Sequence, residues 1–116
     1  MLGYDVSIFE IKDKNQMPWD SYKILDKENL NLFAHVDCIM LDWLNKLVED
    51  GKATLHDGDG YPFRYSAEFG TVMETISAMI VSPHSQQWTR EIKLFFYKIR
   101  GKKSDELVYL EAWDQS

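Results

Sequence analysis

A single cysteine, Cys38, rules out an internal disulfide and agrees with a reducing compartment. No run approaches the roughly 18 consecutive apolar residues needed to span a bilayer. The opening Met1-Leu2-Gly3-Tyr4-Asp5 lacks the positive start and apolar stretch of an export signal, so a cytoplasmic location is expected. Glycine gives no support to an enzyme: Gly58, Gly60, Gly70 and Gly101 compose neither a Walker loop nor a dinucleotide fingerprint. Basic residues are also in deficit. With 13 against 19 acidic ones, the formal charge is −6, the wrong sign for neutralising phosphates, which disfavours nucleic acid and anionic membrane as partners. A basic protein fits better, because an acidic surface speeds its approach by long-range attraction. Internal repeats, low-complexity tracts and linker-like composition shifts are likewise missing.

What is present is apolar mass. The 116 residues are 45% hydrophobic and 14% aromatic, enough to offset the entropy of ordering, and residues 1–116 read as one domain. Leu2 to Ile11 alternates partly, with Tyr4, Val6 and Ile8 on one face and Phe9 and Ile11 on the other, predicting a strand. Asp13 to Asp20 is polar, is broken by Pro18, and reads as a loop. From about Leu30 to Asp50, Leu32, Phe33, Val36, Met40, Trp43, Leu44 and Leu47 recur at three- and four-residue steps, predicting an amphipathic helix. Asn29 or Asn31 is placed to cap its start and Gly51 to close its end.

Asp57-Gly58-Asp59-Gly60 is a turn signal, predicting a small hairpin between Lys52–His56 and Tyr61–Tyr65. A second helical stripe follows over Phe69, Val72, Met73, Ile76, Met79 and Ile80, with Ser66 as its expected N-cap and Pro83 beyond its end. Glu91–Arg100 and Leu107–Trp113 are aromatic and β-branched, and Gly101-Lys102-Lys103-Ser104-Asp105 between them suggests an antiparallel hairpin. The expected fold class is α+β, an antiparallel sheet with two amphipathic helices packed on it.

Three clusters invite chemistry. On a helix over residues 30–50, His35, Cys38 and Asp42 share the polar side, where thiol, imidazole and carboxylate could bind zinc or activate a nucleophile. A fourth zinc ligand at paired spacing is missing, and a solvated or partner-facing side explains the trio equally. Asp57 and Asp59 start a calcium-like pattern that Glu68 would close at position twelve, but Tyr61 and Pro62 occupy the intervening ligand positions, favouring an ordinary turn. On the same helix Asp37 would lie among Leu30, Phe33 and Leu44, which calls for a bond to a core tyrosine or for exposure to a partner, with the bond favoured. Trp19, Tyr22, Tyr61, Phe63, Tyr65 and Trp88 lie outside the periodic stripes. They complete a core or anchor an interface rimmed by acids. No enzyme, cofactor or metal role is expected.

The stretch Asp57-Gly58-Asp59-Gly60-Tyr61-Pro62-Phe63-Arg64-Tyr65-Ser66-Ala67, followed by an apolar helix, resembles a Gly-Tyr-Pro-aromatic/Arg-Tyr-Thr-Ala segment of small bacterial proteins, some of them toxin-neutralising. Size and acidity resemble the immunity proteins of contact-dependent growth inhibition systems. That resemblance implies an intracellular protein that binds and neutralises the toxin domain of a delivered effector; joined to the acidic charge and the loop aromatics, it leads to the expectation of a basic nuclease met through an acidic and aromatic surface. Asp42, Glu49, Asp57, Asp59, Tyr61 and Phe63 are the residues expected to meet it, from their polar helix positions or their place beside the turn. The alternative is a regulatory or scaffold subunit that pairs as a homodimer through an exposed strand edge.

Overall fold

The computed structural model describes residues 3–11, 30–58, 62–81 and 89–115. Among them, strands β1 (Tyr4–Ile11), β2 (Leu30–Cys38), β3 (Ala53–Asp57), β4 (Phe63–Glu68), β5 (Thr89–Leu94) and β6 (Leu107–Asp114) form one sheet. Helix α1 (Asp42–Glu49) follows β2, and α2 (Phe69–Val81) follows β4 directly. The order is β3-β4-β6-β1-β2-β5, with every neighbouring pair antiparallel. This is the expected α+β class.

The pleat sorts the side chains. Val6, Ile8, Val36, Leu110 and Ala112 are buried on the face that meets Leu44 and Leu47 of α1 and Phe69, Val72, Ile76 and Met79 of α2. Asp5, Ser7, His35, Asp37 and Glu111 alternate to the other face and stay partly wet. A register shift after Ile8 leaves Phe33 as an extra residue in β2, and its ring meets that of Phe69 edge-on at 5.8 Å. Phe9, only 3% exposed, lies outside the main core and stacks on Tyr109 at 6.2 Å.

Several expectations need correction. Residues 30–38 form a strand between β1 and β5, and only Asp42–Glu49 of the expected long helix is helical. Leu30, Leu32, Ala34, Val36 and Cys38 also repeat at a step of two, and pairing on both edges satisfies the β2 backbone. Asn31 therefore caps no helix. Its side chain bonds Glu10 Oε1 at 2.6 Å instead.

Ser66 is likewise inside β4, not an N-cap. The first amides of α2 donate to carbonyls from a distant segment: Phe69 N–H to Glu106 at 2.7 Å and Gly70 N–H to Ser104 at 2.9 Å. The strand expected over 91–100 stops at Leu94 and gives way to a 3-10 turn at Phe96–Lys98. Nor do β5 and β6 form a hairpin, since β1 and β2 lie between them. The connection from Phe95 to Glu106 crosses roughly 14 Å of sheet, three strand spacings. The β3–β4 hairpin and α2 stand where the sequence places them, and Gly51, at φ 73°, ends α1 as expected. The expected loop at Asp13–Asp20 lies outside the described residues.

Candidate functional site

At one end of the sheet, the start of β1, the chain entering α1 and the β4 strand enclose a groove of about 380 Å³. Alternation puts Phe63 and Tyr65 on one face of β4, and Tyr4 reaches it from β1, its ring 6.4 Å from that of Phe63. Ile39, Met40 and Leu41 form the apolar floor, and Met40 is exposed. Asp42 and Asn45, one helical turn apart in α1, bring the polar groups. Asp42 opens the helix, where a carboxylate is favoured by the unpaired amides of the first turn. The Tyr65 hydroxyl donates to Asn45 Oδ1 at a long 3.5 Å. Burial, and secondarily the neighbouring Tyr4 phenol, push Tyr65 above the usual tyrosine range, so it stays a neutral donor at physiological pH.

Asp42 and Phe63 therefore share one surface. Glu49 does not join them, being exposed at the far end of α1, and the backbone of Asp57 ends β3 opposite Arg64. Asp59 and Tyr61 lie outside the described residues, as do Trp19, Tyr22 and Trp88. Arg64 meets Glu111 at 3.5 Å. Sequence reasoning missed Tyr4, Met40 and Asn45 as groove residues, and named Tyr65 only among the aromatics that complete a core or anchor an interface. The signal available was the two-residue spacing of Phe63 and Tyr65, which fixes a common face once the segment is read as a strand.

The trio His35, Cys38 and Asp42 is dispersed. His35 and Cys38 occupy opposite faces of β2, and Asp42 lies beyond it on α1. Cys38 is fully buried, and that burial pushes its thiol up, away from the reactive thiolate. His35 Nδ1 sits 3.1 Å from Asp5 Oδ1. The β3–β4 register carries Glu68 to the opposite end of the hairpin from Asp57, which separates the two ends of the calcium-like pattern. Asp37 is not in an apolar arc. It stands across from Asp5 and Glu91 on the polar face of the sheet, and among the described residues its shielded Oδ1 has no tyrosine partner. With His35 and Lys93 these acids line a second depression of about 260 Å³.

Among the described residues no group of three or more His, Cys, Asp or Glu side chains is placed to hold a metal ion. In the same residues no helix is long and apolar enough to cross a membrane. Comparison with protein-family models, curated proteins and solved structures gives no significant match.

Proposed function

We propose that this protein is an immunity-type inhibitor that docks a basic toxin domain, a nuclease, on the groove between α1 and β4. The reading rests on one observation: Asp42 and Phe63, chosen for charge and aromaticity, border the same groove. Tyr4, Phe63 and Met40 supply rigid and adaptable apolar contact of the sort that dominates interface energies. Asp42 offers a carboxylate to a lysine or arginine, and a formal charge of −6 steers a cationic partner from a distance.

The test is titration calorimetry against the product of the adjacent reading frame. Tight binding is expected, with Phe63→Ala weakening it about thirtyfold and Asp42→Lys slowing association about tenfold. Binding that ignores both substitutions places the interface elsewhere. Failure of the neighbouring product to bind at all removes the immunity reading.

A further inference from the structure

The outer side of β5 ends the sheet, and no strand among the described residues pairs with it. Its segment Thr-Arg-Glu-Ile-Lys-Leu has Arg90, Glu91 and Lys93 exposed. Which backbone groups face outward follows from the ladder with β2. The Phe95 amide donates to the Phe33 carbonyl at 2.9 Å, and in an antiparallel pair such reciprocal positions recur at every second residue. Lys93 and Glu91 therefore turn their amides and carbonyls toward His35 and Asp37, their partners in register. Ile92 and Leu94 turn theirs away from the sheet, and the register shift between Asp37 and Cys38 ends this regular alternation at Glu91.

We infer that this edge pairs with the β5 of a second copy, antiparallel, about a two-fold axis through Ile92. In that register the outward groups of Ile92 meet those of its symmetry mate. Glu91 then lies directly opposite Lys93 of the second copy, and Lys93 opposite its Glu91, at the positions where side chains approach most closely. Charges on an edge strand ordinarily guard it against pairing. Here their order makes the strand its own complement, and a slip by one residue in either direction destroys both opposite-charge pairs.

A second observation agrees. The C-terminal end of α2 borders the same edge: Met79 and Ile80 share a groove with Thr89–Ile92, and the Thr89 hydroxyl approaches Met79 Sδ at 3.6 Å. Ile80 and Val81 are 52% and 78% exposed there, an apolar patch that the two-fold axis brings toward its own copy. The groove at Asp42 contains no residue of β5 or α2, so this dimer stands or falls independently of toxin binding.

The test uses the full chain and its charge variants in sedimentation equilibrium from micromolar to millimolar concentration. The wild type is expected to dimerise. Glu91→Lys sets lysine against Lys93 of the second copy on both sides of the axis, and Lys93→Glu sets glutamate against Glu91, each weakening association about tenfold. Mixing the two variants recreates opposite charges at both positions and is expected to give a heterodimer of near wild-type affinity. Both side chains are 59% exposed, and circular dichroism is expected to show each variant folded. A wild type that stays monomeric throughout, single variants that associate undiminished, or a mixture no tighter than its components would each overturn the pairing.

Discussion

Lys102 is a long cation whose side chain is only 4% exposed, an arrangement that persists only when the charge is paired. Its ammonium donates to Glu10 Oε2 of β1 and, at 3.1 Å, to Glu106 Oε2, and lies 5.8 Å from the centre of the Phe69 ring. Glu10 Oε1 in turn accepts from Asn31 of β2. One lysine thereby ties the segment after β5 to β1 and, through Glu10, to β2. Lys102→Met keeps the stem but strips the cation from two carboxylates, and is expected to destabilise the fold by about 2 kcal/mol. Adding Glu10→Gln should recover part of that loss; urea denaturation of both variants checks it. His56 gives a pH-dependent counterpart. Its Nε2 lies 2.6 Å from Ser66 Oγ, and burial holds its pKa below 6.5. Unfolding releases the imidazole to its ordinary value, so the unfolded chain takes up the proton first as pH falls below about 6.5. Stability is therefore expected to decline in that window, and the decline to be shallower in His56→Gln, when urea midpoints are compared at pH 8 and pH 5.

Elements whose signals are local are those the sequence makes legible. The six-residue apolar stripe of α2 and the short-range hairpin pairing of β3 with β4 each depend on residues close together in sequence, and both elements form as expected. The C-terminus of α1 is of the same kind: Lys52 N–H donates to Leu47 O at 2.8 Å and Gly51 N–H to Val48 O at 3.1 Å, a closing motif that needs positive φ at Gly51. The β2 strand is different, because Leu30–Cys38 satisfies both periods and only its neighbours β1 and β5 decide between them. The groove shows the same division. Asp42 and Phe63 could be singled out by charge and aromaticity, whereas Tyr4 reaches them only through long-range strand pairing, and Met40 and Asn45, though neighbours of Asp42 in sequence, carry neither signal. Two glycine substitutions separate local from long-range cost. A Cβ at Gly51 meets no atom within 4 Å, so Gly51→Ala carries only backbone strain, about 1 kcal/mol. At Gly70 it would lie 2.7 Å from Ser104 Cβ and 3.2 Å from Ser104 O, where the distant loop caps α2. Gly70→Ala is expected to cost about 2 kcal/mol, and thermal denaturation should rank the pair accordingly.

At the scale of the whole molecule, the sheet places its one thiol where it reports on the integrity of everything else. Cys38 ends β2, is flanked by Tyr4 of β1 and Thr89 of β5, and faces the core at 0% exposure. Both flanking strands are distant in sequence, so no local opening of β2 alone frees the sulfur: its neighbours must part as well. Burial also pushes the thiol up, so a partial opening that leaves it in apolar surroundings still provides little thiolate. Labelling by a disulfide reagent at neutral pH is therefore expected to be at least about a thousandfold slower in the native protein than in the urea-unfolded chain. The rate should rise with denaturant along the same slope as global unfolding. Labelling at the rate of a free thiol in native buffer would mean that β2 is not the inner strand between β1 and β5, and the β5 edge together with its self-complementary register would lose its structural basis.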